Sequence, residues 1–270
     1  MKKIAIYCIN YNSYDELHSF LMSVDRAASL TTGSASLDVF IADNTKTEYR
    51  KNIELNGLNN VSIKIFNYND NPGYFGAAQR MMHATDTTSY DYAIISNVDL
   101  TIEDNALQAL IQTEEEKNVG WIAPSLFSAK LNRDRNPELM HRYSVRKLKL
   151  IRLMFKYPLL EMIYRRTLYK RRKINHTVKQ PTRIYAGHGS LIILTKQYFK
   201  LCGIPDYPIF LFCEEIYLAE ICRLNNLNVI YRPDIHIYDK EHVSIGEIHH
   251  SKSYYKYNYE AITYIINNFY

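Results

Sequence analysis

The stretch from Tyr92 to Leu100 constrains the fold most, because an apolar run ends there in two polar side chains. Asn97 and Asp99 follow the run with one residue between them. A short apolar run of this kind predicts a buried strand. In an open α/β sheet, ligands bind beyond the carboxyl ends of the strands, so both side chains are expected to project into a binding crevice. A strand end followed by a helix cap is the alternative interpretation of these residues.

Apolar runs and helical periodicities alternate along the rest of the chain. Strands are predicted over residues 4–9, 37–42, 61–66, 92–96, 121–124, 183–194, 229–231 and 235–238. Helices are predicted over residues 15–28, 104–117, 214–224 and 254–269. A further helix is predicted to follow the turn at residues 71–76 and to end near residue 83. This alternation predicts an α/β fold, a doubly wound, mainly parallel mixed sheet with helices on both faces.

Size and composition predict an ordinary globular protein. A chain of 270 residues that is 47% hydrophobic can bury one substantial core. Its four cysteines lack the close paired spacing of zinc sites or disulfide frameworks, which predicts free thiols in a reducing compartment. The apolar run after Lys3 is too short for a secretory signal, and no uncharged stretch approaches membrane-spanning length. These features predict a cytoplasmic protein.

Positive charge is concentrated in one segment. Residues 146–173 hold eleven of the 33 Lys and Arg residues and one of the 28 acidic residues, so this segment carries +10 and the remainder −5. Apolar residues at helical spacing accompany the cations and predict a basic helical insertion over 133–181. Such helices suit an anionic membrane surface, where each cation is worth about 1 kcal/mol. The alternative is a helical appendage packed on its own domain. The acidic remainder and the lack of a recognition motif argue against nucleic acid as a partner.

Polar groups at successive strand ends carry a resemblance to a known family. They are Asn10 and Asn12, Asp43 and Asn44, the turn from Asn71 through Gly73 to Gly76, and Asn97 with Asp99. In this order they resemble the amino-terminal half of the inverting family 2 glycosyltransferases, rhamnosyltransferases among them. The segments 186–190 and 210–215 resemble that family's acceptor-side strand and its acidic motif at the head of a helix. The resemblance spans residues 3–245 and implies a GT-A fold and a nucleotide-sugar donor.

The resemblance also implies roles in donor binding. Asp43 could accept a hydrogen bond from the imide N–H of uracil or thymine, although an Asx turn would use the same residue. Gly73 and Gly76 would let the backbone approach a diphosphate at a helix N-terminus. The rest of the predicted donor set is Asn10, Asn12, Asn44, Asn71, Asn97 and His188. His188 has a structural role as its alternative.

A divalent cation, Mn²⁺ or Mg²⁺, is predicted at the donor diphosphate. Asp99 is its expected ligand, because hard cations prefer carboxylate oxygen. Asn97 supplies a neutral oxygen where many family members have a carboxylate. The family often has a later histidine ligand, and here Asp239 aligns with it while His242 lies three residues further on. Both are candidates, with a surface loop as the alternative.

Inversion at the anomeric carbon requires a base on the face opposite the leaving diphosphate. Glu215 is the predicted base by resemblance, and Glu214 is the alternative. Two carboxylates at this place could also serve only to stabilise a helix N-terminus, by about 0.3–1 kcal/mol each.

The resulting hypothesis is an inverting glycosyltransferase that acts on a lipid-linked glycan acceptor in bacterial surface polysaccharide synthesis. One GT-A domain would divide into a nucleotide-sugar half (1–125), the insertion (133–181), an acceptor and catalytic half (182–250) and a C-terminal helix (251–270). The protein would sit in the cytoplasm, peripheral on the inner face of the plasma membrane, in an oligomeric state that the sequence leaves open. The alternatives are a sugar-phosphate nucleotidyltransferase, which should have a basic Gly-rich loop after the first strand, and a non-catalytic nucleotide-sugar or membrane-binding module.

Overall fold

The computed structural model describes residues 1–113, 116–160, 178–240 and 251–270. Its strands are β1 (Lys2–Asn10), β2 (Ala35–Asp43), β3 (Ser62–Asn67), β4 (Tyr92–Asn97), β5 (Leu100–Ile102), β6 (Val119–Ser128), β7 (Arg133–Asp134), β8 (Thr182–Ile184), β9 (Leu191–Thr195) and β10 (Asn228–Asp239). Its helices are α1 (Tyr14–Ser29), α2 (Tyr74–His83), α3 (Ala106–Gln112), α4 (Val145–Lys156), α5 (Lys196–Cys202), α6 (Glu214–Leu224) and α7 (Lys252–Phe269).

All ten strands belong to one mixed sheet. Its main path runs β3-β2-β1-β4-β9-β6-β10-β5, with β7 paired to β6 and β8 paired to β10. The first four strands are mutually parallel, as are β6 and β10, whereas β9 runs antiparallel to both of its neighbours. The parallel strands deliver their carboxyl ends to one edge, as the alternating pattern predicts.

Both faces of the sheet are covered, which explains why the strands are continuous apolar runs. Along β1, Tyr7 and Ile9 belong to one core cluster while Ile6 and Cys8 belong to the other, as the two-residue period of a strand requires. Residues of α1 and α3 cover the second cluster, and residues of α2, α6 and α7 cover the first. The predicted α/β layering is confirmed.

Three predicted elements differ from the observed ones. The helix predicted over 104–117 spans only Ala106–Gln112, because Thr113 is extended and Arg232 donates to its hydroxyl and to a carbonyl of the last turns. The strand predicted over 183–194 is two strands that pair with different neighbours, β8 with β10 and β9 with β4 and β6. The two strands predicted around Pro233 are one strand, β10, with a register shift that accommodates a residue lacking an N–H.

Helix α4 packs on the domain through part of its surface. Leu148 is fully buried, and the Phe155 ring contacts the rings of Tyr254 and Tyr255 at the start of α7. The described part of the basic segment is thus attached to the C-terminal helix. The rest of that segment lies outside the described residues, and the predicted division of the chain stays a prediction. No helix in the described ranges is long and apolar enough to cross a membrane.

A buried carboxylate joins these peripheral elements to α6. Glu220 is fully buried and accepts hydrogen bonds from Arg142, Tyr185 and Arg223 at 2.5–3.1 Å. Arg142 also donates to the Phe269 carbonyl oxygen at 2.8 Å. Burial alone would raise the pKa of Glu220, but these hydrogen bonds outweigh burial and lower it. The Glu220 cluster therefore links α6 to the residue after β8, to the chain before α4 and, through Arg142, to the end of α7.

Candidate active site

The strand register brings the predicted polar side chains to one edge. Asn10 lies opposite Asp43 across the β1–β2 pair, and Asp43 lies opposite Asn67 across β2–β3. On the other side of β1, Ile9 lies opposite Asn97, the last residue of β4. The predicted convergence of these strand ends is therefore observed.

Asp43 is at the centre of a hydrogen-bonded network at this edge. It is 1% exposed, and its carboxylate accepts from the side-chain amide of Asn10 (3.2 Å), the Tyr14 hydroxyl (2.9 Å) and the Thr45 backbone N–H (3.1 Å). The Nε of Arg50 lies 3.5 Å from the same carboxylate. Asp43 therefore holds the ends of β1 and β2 together, and both of its oxygens already have donors.

Asn12 and Asn44 hold the loops that follow these two strands. Asn12 has a positive φ of 59°, and its N–H donates to the Thr45 hydroxyl at 2.9 Å. Asn44 donates to the Asn71 side chain (3.2 Å) and to the Gly73 carbonyl oxygen (3.3 Å). Its own buried Oδ1 accepts no hydrogen bond from the described residues. Such an orphaned buried acceptor calls for a partner, which a bound ligand could supply.

Gly73 precedes helix α2 and requires glycine for two reasons. Its φ is +83°, and a Cβ there would lie 2.4 Å from the carbonyl oxygen of Phe210. Gly76 lies inside α2, where a Cβ would make only an ordinary contact with Pro72. Gly73 therefore seats α2 against the loop that leads to Glu214 and Glu215.

Two of the predicted cation ligands, Asp99 and Asp239, lie beside the β10–β5 pair. Asn97 and Asp99 are half-buried at the end of β4, and Asp239 lies opposite Leu100 across the β10–β5 pair. The Lys240 N–H donates to the Asp99 carbonyl oxygen at 3.3 Å. The Asp239 carboxylate is 4% exposed and pairs with Arg135, whose Nη1 donates to it at 2.5 Å. His242, the other candidate, lies outside the described residues.

The two glutamates at the start of α6 have different surroundings. Glu214 Oε1 accepts the backbone N–H of Phe212 at 3.0 Å, so this buried carboxylate caps its own loop. Glu215 is half-buried and faces Gly189, where a Cβ would lie 3.7 Å from its Oε2. Two consecutive left-handed residues, Phe212 and Cys213, aim this pair, a backbone strain that is often found at functional sites.

Burial and mutual repulsion affect the protonation of these glutamates. Burial raises the pKa of both Glu214 and Glu215, and the charges of Glu214 and Glu138 raise that of Glu215 further. A carboxylate with a raised pKa is a stronger base at neutral pH than an ordinary glutamate. Glu214 accepts the Phe212 N–H, whereas Glu215 faces the Gly189 loop, and this difference favours Glu215 as the group that could take a proton from a ligand.

His188 lies in the loop between β8 and β9, held on both sides. Its backbone N–H donates to the Asn136 side chain at 2.7 Å, and its Nδ1 accepts the Ser190 N–H at 3.1 Å. Burial, together with the charge of Arg135, lowers the pKa of His188 to about 3. The ring is therefore neutral with its proton on Nε2, and that N–H is a donor for a ligand.

Three further residues at this site do not follow from the sequence motifs. Tyr74 donates its hydroxyl to the Gly189 carbonyl oxygen at 3.0 Å, and burial raises its pKa, with smaller contributions from the charges of Glu214 and Asp99. Arg135 and Asn136 bring the hairpin after β6 against Asp239 and His188. For Tyr74, the sequence does offer a signal, because this aromatic residue directly follows the Gly73 turn. The other two depend on pairing across the fold.

Within the described ranges, no three His, Cys, Asp or Glu side chains lie close enough together to hold a metal ion. This edge of the sheet combines the N-terminus of α2, the half-buried Glu215 and the neutral His188. This arrangement can bind an anionic ligand and abstract a proton from a neighbouring hydroxyl.

Comparison with known proteins decides the fold. No protein-family model matches the sequence, and a search of curated proteins finds no match. Among solved structures, the chain is similar to the crystal structure of GalNAc-T7 with UDP, GalNAc and Mn²⁺, with a TM-score of 0.58 over 90% of this chain. The chain has the GT-A fold. The two sequences are 12% identical, and this chain covers 44% of the other, so the likeness concerns architecture.

The GT-A fold places the functional edge independently of the motifs. In such open α/β sheets the ligand crevice lies beyond the carboxyl ends of the parallel strands. The ends of β1, β2 and β4, the N-terminus of α2 and the Gly187–Ser190 loop all lie at that edge. The predicted residues at these strand ends are thus on the side where open α/β sheets bind ligands.

Proposed function

We propose that the protein is an inverting glycosyltransferase that moves a sugar from UDP or dTDP to a hydroxyl group of a glycan. The observation that carries the proposal is the position of Glu215. It is half-buried at the start of α6 and faces Gly189 in the loop before β9. Because β9 pairs with β4, this loop adjoins the strand end that carries Asn97 and Asp99.

The proposed chemistry is a single displacement at the anomeric carbon. Glu215 accepts the proton of the acceptor hydroxyl while the hydroxyl oxygen forms a bond to that carbon. The bond between the carbon and the diphosphate oxygen breaks, and its electron pair leaves with the diphosphate. The raised pKa of Glu215 suits this role, because a base works best when its pKa is near the working pH.

The donor would lie along the ends of β1, β2 and β4. The first N–H groups of α2 have no intrahelical acceptor and would bind the diphosphate. Asp43 is the predicted acceptor for the base, and binding through it would replace one of its present donors, such as the Tyr14 hydroxyl. The orphaned Oδ1 of Asn44 is a second acceptor at the same edge. The Nε2–H of His188 would donate to the donor sugar or to the acceptor.

A divalent cation would, when bound, neutralise charge on the leaving diphosphate. Among the described residues, the donor set is poor for a hard cation, which prefers several anionic oxygens. Asn97 offers a neutral amide oxygen, and the Asp239 carboxylate is paired with Arg135. Asp99 therefore stands as the principal predicted ligand, and no step of the proposed chemistry depends on the cation.

The sequence motifs support a more specific family and biological role. They support membership of glycosyltransferase family 2 and a role in bacterial surface polysaccharide synthesis on a lipid-linked acceptor. Such an acceptor would bring the protein to the inner face of the plasma membrane. Helix α4 supports this part of the proposal, because Leu150 and Leu153 are 54% and 44% exposed among its cations. Leu159, just beyond the helix, is 71% exposed.

Co-sedimentation with liposomes tests the membrane contact. Wild-type protein should sediment with anionic vesicles at low salt and less with neutral ones. Replacing Leu150 and Leu153 with serine should reduce sedimentation. The matched control replaces Leu30 and Leu224, which are 51% and 55% exposed elsewhere on the surface, and should have no effect. Failure of the wild type to bind anionic vesicles would remove the membrane contact and leave the enzymatic proposal intact.

A thermal-shift screen tests the enzymatic proposal. Uridine and thymidine diphosphate sugars should raise the melting temperature, whereas GDP-, ADP- and CMP-sugars should not. A ligand at about a hundred times its Kd stabilises a protein by about 2.7 kcal/mol, which such a screen detects easily. Asp99→Ala should diminish only the part of the shift that depends on Mn²⁺. The proposal fails if no nucleotide sugar stabilises the protein, with or without Mn²⁺.

A further inference from the structure

Arg135 lies where the sequence predicts a cation site. Its guanidinium pairs with Asp239, the residue that aligns with the later metal ligand of the resembled family. Asp239 lies opposite Leu100, next to Asp99, and the charge of Arg135 acts on His188. One protein cation is thus bonded to the predicted ligand Asp239 and acts on His188.

The pair is oriented so that its positive partner is the accessible one. The side chain of Arg135 is 29% exposed, whereas that of Asp239 is 4% exposed. The bond to Asp239 uses one of the five N–H groups of the guanidinium. The buried carboxylate therefore anchors the guanidinium, whose remaining N–H groups are partly exposed and can bind an anion.

Backbone hydrogen bonds also hold Arg135 in place. Its N–H donates to the Leu126 carbonyl oxygen of β6 at 2.8 Å, directly after the short strand β7. The next residue, Asn136, binds both the His188 N–H and the Pro124 carbonyl oxygen. A guanidinium held at both ends loses little freedom when it binds an anion, so its contribution to affinity is large.

Among the described residues, these observations disagree with a binding site that depends on a divalent cation. Asp239 has its charge compensated within the protein, and Asn97 contributes no charge. A hard cation would have to displace Arg135 from Asp239 to gain a second carboxylate. The guanidinium already offers the planar fork of donors that suits phosphate oxygens.

We propose that Arg135, anchored by Asp239, binds the diphosphate of the donor and makes donor binding independent of a divalent cation. The inference rests on the proposed function, since it names the group that holds the leaving diphosphate. It assigns Arg135 to the phosphates, Asp239 to the positioning of Arg135, and neither residue to the base or the sugar.

Calorimetric titration of UDP and dTDP, with chelator and with Mn²⁺, tests this proposal. Wild-type Kd for the preferred nucleotide should differ by less than about threefold between the two conditions, which is about 0.7 kcal/mol. Arg135→Gln should weaken binding about tenfold to a hundredfold in chelator, the range for lost hydrogen bonds to a charged group. Arg135→Lys should restore part of the loss. The matched control is Arg133→Gln, because Arg133 is exposed two residues away.

A phosphate series separates a binding role from a structural one. Arg135→Gln should weaken the diphosphate more than the monophosphate and leave binding of the nucleoside unchanged, with each variant checked for an unchanged melting temperature. Asp239→Asn should weaken the diphosphate less than Arg135→Gln does. Equal weakening of nucleoside and diphosphate would overturn the proposal, as would wild-type binding that requires Mn²⁺. Absence of nucleotide binding under both conditions would instead refute the proposed function.

Discussion

Replacement of Glu215 by glutamine should separate catalysis from stability. An amide cannot accept the proton of the acceptor hydroxyl, and a general base typically contributes a factor of about 10²–10⁴. That loss corresponds to about 2.7–5.4 kcal/mol of activation free energy. Glu214→Gln is the matched control, because an amide oxygen can still accept the Phe212 N–H. It should lower the rate by less than about tenfold, a loss of about 1.4 kcal/mol.

Stability should change in the opposite direction. Because burial and nearby charges raise the pKa of Glu215 above its ordinary value, the ionised form destabilises the folded state. The stabilising contribution of the protonated carboxyl is complete below the unfolded pKa and disappears as pH rises through the folded pKa. Glu215→Gln should therefore melt no lower than the wild type at pH 8, although its activity is lost.

Release of nucleoside diphosphate, measured across pH with the donor from the thermal-shift screen, is the assay. The wild-type rate should rise with pH through a midpoint above the ordinary glutamate value, because the base must be deprotonated. The reasoning is refuted if Glu215→Gln retains more than about a tenth of the wild-type rate, or if Glu214→Gln loses as much.

Two further predictions concern the scaffold of the site. Gly187→Ala would place a Cβ 2.5 Å from that of Ala123 and should cost about 1–3 kcal/mol of stability by overpacking. Gly189→Ala, the control, makes only an ordinary contact. Thermal denaturation should show the difference, and equal melting temperatures would contradict it. Glu220→Gln should cost about 1.5–3 kcal/mol, because the fully buried carboxylate loses charge-assisted hydrogen bonds from Arg142 and Arg223, against less than about 1 kcal/mol for Glu260→Gln in an exposed pair. In urea titrations the stabilisation by Glu220 should be present above the ordinary glutamate pKa and disappear as pH falls through its lowered pKa.

The strand ends could be predicted from sequence because their signal is local. An apolar run that stops at Asn10, Asp43 or Asn97 identifies both a strand and the edge at which it ends. Parallel pairing then brings these ends together without further information. The layered α/β architecture follows from the same alternation of strands and helices, whereas the GT-A fold is implied by the resemblance of the motifs.

The residues between and behind the strands could not be predicted in this way. The pairing of Arg135 with Asp239 joins residues 104 positions apart and depends on the register of β10 against β5 and β6. The division of 183–194 into two strands depends on Gly187, which packs against Trp121 and Ala123 of β6. Neither contact leaves a periodic signal in the sequence.

The anomeric configuration of the first product tests the central claim most directly. Proton NMR should follow the reaction of the selected nucleotide sugar with water or a glycan acceptor. An α-linked donor should give a β-configured product, and Glu215→Gln should slow its formation by at least about a hundredfold. A product with retained configuration, or a wild-type protein that leaves every nucleotide sugar unconsumed, would contradict it.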